Sequence, residues 1–293
     1  MTAEVLRYAA FTEDGRGGNP AGVVLDAACL EPPQMLAIAE AIGYSETAFV
    51  SPAGAGTYDV RYFSPHAEVA FCGHATVATA VAMAQRNGVG HVHFHTMAGP
   101  VDVSTVLEDG QVTATLTSPP AHTRPIDDLA LTRTLTALRW TGDDVDPHYP
   151  PRVAHAGNDH PVLAAATSER LANLDYDYDA LAAVMADEGW TTVCLFRPLS
   201  RTELEVRNPF PPGGVVEDPA TGAAAAALGG YLRDLDLVPG DARLWVHQGH
   251  HMGAPSRLVV DLDPSTRSVR VSGTATRLAL SPYDEPGHVR DFC

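Results

Sequence analysis

Hydrophobic positions in this chain fall into short runs punctuated by Gly, Pro, Asn and Asp, with two long Ala-rich stretches set among them. Gly18-Asn19-Pro20 turns into Ala21-Gly22-Val23-Val24-Leu25, and Gly157-Asn158-Asp159-His160 turns into Pro161-Val162-Leu163; each run reads as a buried strand. Ser45 to Val50 and Thr191 to Phe196 have the β-branched and aromatic content of strands, as do the stretches around Val60-Arg61 and Val206-Arg207. Cys72-Gly73-His74-Ala75-Thr76 leads into the Ala-rich stretch Val77 to Arg86, and Asp218-Pro219-Ala220-Thr221-Gly222 leads into Ala223 to Leu232. A surface helix would carry one polar face. These two are apolar almost all round, which predicts helices enclosed by their own sheets.

The same segments recur in the same order in both halves, so the chain is an internal duplication. After each helix come strand patterns with an acidic turn, Val101 to Pro120 and Ser256 to Ala275. The linker is expected between Ser118 and Thr123. Ile126 to Arg139 and Ala180 to Glu188 read as outer helices, the latter with Leu181, Val184 and Met185 at helical spacing. The predicted fold class is α+β, with two pseudo-symmetric lobes, each a curved, mostly antiparallel sheet wrapped around a central apolar helix. The lobes are expected at 1–120 and 121–279, with 280–293 a candidate to complete the first.

Composition narrows the function. At 293 residues and 45% hydrophobic content the chain can build two cores. No run approaches the roughly eighteen apolar residues that cross a bilayer, and the N-terminus is acidic where a signal peptide is basic. No membrane partner and a cytoplasmic location are therefore expected. A formal charge of -17 without any basic run argues against nucleic-acid binding. All 19 basic residues are arginine, which excludes lysine Schiff-base chemistry and Walker-type phosphate binding. Cys29, Cys72, Cys194 and Cys293 are widely spaced, so neither a disulfide framework nor a cysteine-rich zinc site is expected, and all four read as reduced thiols.

Several residues could carry chemistry. Unpaired N–H groups at the two predicted helix starts, near Gly73 and Gly222, make anion sites, although each glycine also serves as an ordinary turn residue. Glu46 stands at the start of a buried strand, and burial of a carboxyl favours its protonated form and suits it to acid/base work; a surface or capping glutamate is the plainer alternative. His74 lies in a helix's first turn, where it could relay a proton or simply pack. Asp218 stands at the second helix start as a candidate acid/base group or an N-cap. Cys72 is read as its match in the first half, a thiol at a helix terminus or a packing residue. His91, His93 and His95 share one strand face, a pattern able to hold a metal, yet with no carboxylate patterned nearby no metal is expected.

The segments GNPAGVVL, SETAFV, FCGHATVATA, EDPATGAAAA and QGHHMGAPS, in this order, resemble the phenazine-biosynthesis isomerase-like family over essentially the whole chain. The resemblance implies a diaminopimelate epimerase-like fold and a cofactor-free isomerase that shifts a proton on a small carboxylated substrate, as trans-2,3-dihydro-3-hydroxyanthranilate isomerase does. It places the catalytic glutamate at Glu46, the histidine of GHAT at His74 and the aspartate of DPATG at Asp218. Asn19, Gly73, Gly222 and Ala223 fall at substrate-binding positions, the two glycines where backbone amides hold the substrate's carboxylate. Ala223 stands where the family commonly has serine, so one hydroxyl is missing. A homodimer is expected from the family's habit. An epimerase or racemase of amino or hydroxy acids is an alternative within the same fold, although related enzymes use a cysteine from each lobe and this chain matches them only at Cys72. A non-catalytic small-anion-binding protein is a further alternative.

Overall fold

The computed structural model describes residues 4–279. In chain order the first half runs β1 (Leu6–Ala10), β2 (Asn19–Val24), α1 (Pro32–Ile42), β3 (Glu46–Gly54), β4 (Thr57–Phe63), β5 (Glu68–Val69), α2 (Gly73–Asn87), β6 (His91–Thr96), β7 (Gly99–Glu108) and β8 (Gln111–Thr117). The second runs β9 (His122–Pro125), α3 (Asp128–Ala137), β10 (Arg152–His155), β11 (Asp159–Ala164), α4 (Ser168–Ala172), α5 (Tyr178–Glu188), β12 (Cys194–Pro198) and β13 (Glu203–Phe210). It continues with β14 (Val215–Asp218), α6 (Gly222–Asp234), β15 (Arg243–Gln248), β16 (Ser256–Asp261) and finally β17 (Arg270–Arg277).

Two units result, one holding the chain up to Thr117 and again from Ser272, the other Ser118–Val271. The return to the first unit therefore comes earlier than the 279 read from sequence. Its cause is strand pairing: β17 lies antiparallel to β1, with Tyr8 opposite Arg277 and Ala10 opposite Ala275. The expectation for 280–293 lies outside the described residues.

In the first unit the strands close into a ring, β1-β2-β3-β4-β6-β7-β8-β17 and back to β1. Helix α2 fills it, and every residue from His74 to Ala84 is buried. Only small side chains let a helix be packed on all faces this way; of its hydroxyls, Thr76 Oγ1 donates to Cys72 O at 2.6 Å. The β7–β8 hairpin turns through Asp109 and Gly110, both at positive φ (49° and 77°), the backbone that a two-residue turn between twisted strands requires. Outside the ring, α1 covers a second small core with Met35, Ile38, Phe49 and Phe63.

The second unit repeats the plan with the strands β9-β10-β11-β12-β13-β15-β16 and the buried helix α6 packed on β9, β10, β11 and β16. Gly229 and Gly230 allow this approach: a Cβ there would lie 2.7 Å from Val260 Cγ1 and 2.6 Å from Ala121 Cβ respectively. Helices α3 and α5 pack together over a core holding Leu138, Leu163, Leu181 and Met185. The duplication reaches the register itself. β2 and β3 are parallel, as are β11 and β12, while Phe49 lies opposite Arg61 and Leu195 opposite Arg207. Among the described residues no helix is long and apolar enough to cross a membrane. Cys72 and Cys194 are buried and outside any disulfide, but Cys29 is disulfide-bonded, which corrects the expectation of four reduced thiols. Residue spacing says nothing about which thiols folding brings together.

One buried group makes stability depend on pH. His160 is fully buried; its Nδ1 lies 2.9 Å from Thr192 Oγ1, and that hydroxyl donates to Asn208 Oδ1 at 3.0 Å. Nδ1 therefore carries the proton, and Nε2 has no partner. Burial pushes the imidazole down to about 4. Between that value and the ordinary histidine value of about 6.5 the unfolded chain binds the extra proton, so stability falls as pH falls through this window. At roughly 1.4 kcal/mol per pH unit the loss is about 3 kcal/mol. Urea unfolding of the native chain and His160→Gln at pH 7.5 and pH 4.5 should show the loss shrinking in the variant; equal losses in both would mean that other groups set the acid limit.

Candidate active site

Three segments of the first unit converge on Glu46. Glu46 opens β3, held in parallel register with Ala21 of β2. Asn19 opens β2, and Cys72 and His74 flank Gly73 at the start of α2. Cys72 is the N-cap residue, with extended backbone (φ −144°, ψ 115°), so its side chain leaves the helix axis. His74 Nε2 lies 3.4 Å from Glu46 Oε2, and the Cys72 thiol donates to the same oxygen at 3.4 Å. On the other side of the ring, His74 Nδ1 lies 3.1 Å from Asn19 Nδ2 and 3.3 Å from Cys72 Sγ. Ser45 Oγ is 3.4 Å from Nε2. With Asn19 Nδ2 donating to Nδ1, the imidazole proton sits on Nε2 and points at the glutamate.

Burial divides these roles. The side chains of His74 and Glu46 are 7% and 15% exposed, so the histidine is walled in while the carboxylate keeps an accessible edge. Beside it, the first N–H groups of α2 have no partner within the helix and form a ready anion site. The set therefore combines a carboxylate able to exchange a proton with outside atoms, a hydrogen-bond donor that orients it, and a place for a negative group.

The second unit holds a separate group at the start of α6. Asp218 ends β14 opposite Asn208, and the N-cap of α6 is Thr221. Asp218 is thus not the N-cap, and the second-unit residue that matches Cys72 in helix position is Thr221, not Asp218. The misassignment has a simple cause: the turn before α6 sets Asp218 back on the strand. Thr221 Oγ1 donates to Asp218 Oδ2 at 2.6 Å. Gly222 and Ala223 are the first residues of the helix.

Sequence reasoning missed the residue that ties this group together. Gln248, buried at the end of β15, accepts from Thr221 N–H at 3.2 Å and donates to Asp218 O at 2.7 Å. The next residue, Gly249, has φ 76°, and a Cβ there would fall 2.7 Å from Pro219 O, so only glycine lets the chain pass this close. The segment QGHHMGAPS was the only signal for it. Gln248→Ala should cost about 1–3 kcal/mol for each backbone group left unpaired, read as a lower urea midpoint with unchanged slope. A variant as stable as the native chain would show that the amide does not hold the turn.

The histidine strand lies elsewhere on the first unit. Phe94 is buried while His91, His93 and His95 are exposed on the opposite face. Carboxylates do stand beside them, supplied by neighbouring strands: His93 pairs with Asp102 and His95 with Asp59.

Two sheets each enclosing an apolar helix make this an α+β, diaminopimelate epimerase-like fold. A phenazine biosynthesis protein of the PhzF family from Bacillus anthracis shares it with a TM-score of 0.84 at 24% identity, over 95% of this chain and 98% of that one. Residues 8–280 match the family described as phenazine biosynthesis-like protein, and the chain belongs to that family. It is 32% identical to the uncharacterized isomerase YddE of Escherichia coli (strain K12), over 95% of this chain and 97% of the relative. It is 29% identical to trans-2,3-dihydro-3-hydroxyanthranilate isomerase of Pseudomonas aeruginosa, over 92% and 95% of the two chains. The protein is an enzyme of the isomerase class.

Proposed function

We propose that this isomerase moves a proton between two carbons of a small carboxylated substrate without a cofactor, with Glu46 as the carrier. The observation that carries this is the partly exposed Glu46 carboxylate, held 3.4 Å from the buried His74 ring at the mouth of a helix start. The carboxylate takes a proton from one ring carbon, the resulting charge spreads over the substrate's conjugated system, and the carboxylic acid returns the proton to another carbon. His74 orients Glu46, and Asn19 fixes the histidine tautomer. The Gly73 amide is assigned the substrate's carboxylate. For the second unit the family resemblance supplies the roles: Asp218 as a further acid/base group, Gly222 and Ala223 as substrate contacts. A homodimer in the cytoplasm belongs to the same proposal.

A relative named trans-2,3-dihydro-3-hydroxyanthranilate isomerase supports this substrate class. Ala223 favours a second substrate reading, because it presents no hydroxyl where the family commonly has serine, and a carboxylate that needs no such donor would suit it better. Proton NMR in deuterated buffer separates the two. Loss of trans-2,3-dihydro-3-hydroxyanthranilate with deuterium gained at carbon supports the first. An inert compound, with exchange appearing at the α-carbon of an amino or hydroxy acid, supports an epimerase. No exchange on any carboxylate would leave an anion-binding role and end the catalytic proposal.

A further inference from the structure

We propose that Tyr62 and Thr76 are positioning residues of the first unit, a buried chain of two hydrogen bonds that aims the Gly73 amide at a carboxylate. This rests on the reading of Gly73 as the amide that receives the substrate's carboxylate. Thr76 Oγ1 lies 2.6 Å from Cys72 O and 2.7 Å from the Tyr62 hydroxyl oxygen. A carbonyl oxygen only accepts, so the single Thr76 hydroxyl proton goes to Cys72 O, and Tyr62 must donate to Thr76. Both side chains are fully buried, which keeps water from competing for either bond. Burial also pushes the Tyr62 phenol well above its ordinary value, so it remains a donor at neutral pH.

The carbonyl that this chain reaches belongs to the peptide group whose other end is the Gly73 N–H. That group is planar and trans, so its C=O and N–H point in opposite directions and fixing one fixes the other. Cys72 O accepts from the Thr76 backbone N–H as well, at 3.0 Å. Two donors of Thr76 thus hold the carbonyl along α2, and the Gly73 N–H is held pointing out of the helix start. Hydrogen bonds in series polarise one another, so a carbonyl that accepts strongly leaves its N–H a better donor. The Tyr62 ring also meets Phe71 edge-on, with centroids 5.9 Å apart. One side chain therefore braces the residue before Cys72 with its ring and Thr76 with its hydroxyl.

Among the described residues the second unit has no such chain. With Arg61 matched to Arg207 and the N-cap Cys72 to Thr221, the counterparts of Tyr62 and Thr76 are Asn208 and Ala225. Ala225 has no hydroxyl and gives Thr221 O only the ordinary helical bond from its N–H, at 3.0 Å, while Asn208 Oδ1 accepts from Thr192. A helix enclosed by its sheet therefore forms without this chain, and the chain belongs to the site rather than to the fold.

The test follows the Gly73 amide resonance of the ¹⁵N-labelled full chain while anthranilate and, separately, lactate are added, one probe for each substrate class proposed above. At least one probe should move it in the native chain. Thr76→Val should weaken that probe's binding roughly 3–10-fold, part of what loss of a charge-assisted hydrogen bond costs. Tyr62→Phe should weaken it less, and the double variant should bind no more weakly than Thr76→Val alone, because Tyr62 acts only through Thr76. Thr76→Ser keeps the hydroxyl and should bind as the native chain does. Thr79→Val controls for packing: that hydroxyl is fully buried in the same helix and has no partner, so its removal should leave binding unchanged. Native affinity in Thr76→Val, an equal loss in Thr79→Val, or no movement of Gly73 by either probe would overturn the proposal. If Thr76→Val does not fold, Tyr62→Phe decides alone, and native affinity there overturns it. Only an unmoved Gly73 would also remove that amide from the proposed function, and none of these results concerns Glu46 as proton carrier, which deuterium incorporation reads separately.

Discussion

Glu46→Gln should reduce deuterium incorporation into substrate by about 10²–10⁴-fold, the usual contribution of a positioned acid/base group. The substitution isolates the proton from everything else the side chain does. Glutamine has the same length, and its amide oxygen can still accept from His74 at the position that Glu46 Oε2 holds. Substrate binding should therefore survive, with kcat falling and KM nearly unchanged, the signature of an interaction used in the transition state. Glu46→Asp keeps the charge but withdraws the carboxylate by one methylene, and should fall between the two, because misplacement of about 1 Å can cost 10²-fold. Full exchange by the Gln variant would mean that another group carries the proton, and the mechanism would be wrong. The internal duplication supplies a built-in contrast. Glu46 lies three residues before Phe49, which faces Arg61, and Thr192 lies three before Leu195, which faces Arg207. The second unit thus has a hydroxyl where the first has its carboxylate, engaged with His160 and Asn208.

The parts of this structure that could be read from sequence are those with a local signature. Helices α2 and α6 announced themselves because a helix without a polar face has nowhere to go but inside a sheet. Glu46 was singled out by the family resemblance, because the segment around Ala48, Phe49 and Val50 alone left a surface or capping glutamate as the plainer reading. What escaped was set by distant pairing. Gln248 looks like any polar residue ending a strand, and its meaning comes from Asp218 and Thr221, 30 and 27 residues away. Asp102 and Asp59 sit beside the histidine strand only because β7 and β4 flank β6. The match of Cys72 to Asp218 failed because helix starts were aligned by motif, whereas the N-cap, which the backbone decides, is Thr221.

The duplication also left two copies of one ion pair in different surroundings, and their stabilities should differ accordingly. Arg61 grips Glu68 through Nε and Nη2 at 2.7 and 2.6 Å, and Arg207 grips Glu217 the same way at 2.9 and 2.5 Å. The first pair is 37% and 24% exposed, the second 9% and 4%. Water competes for the first, so Glu68→Ala should cost no more than about 1 kcal/mol. In the second, Arg207 is fixed further by donating to Ala172 O at 2.6 Å, and cannot swing out to solvent when its partner is removed. Glu217→Ala should therefore cost about 3–5 kcal/mol, the penalty of a buried charge left alone. A reciprocal change of both residues, Arg207→Met with Glu217→Leu, should recover much of that loss, because the cost lies in the unpaired charge more than in the missing attraction. Urea unfolding of the four chains measures this directly. Equal costs for the two single glutamate variants would show that burial does not separate the copies. A large cost for Glu217 alone would identify the pair as what pins β14, and with it Asp218, the next residue along, which lies opposite Asn208 in the register.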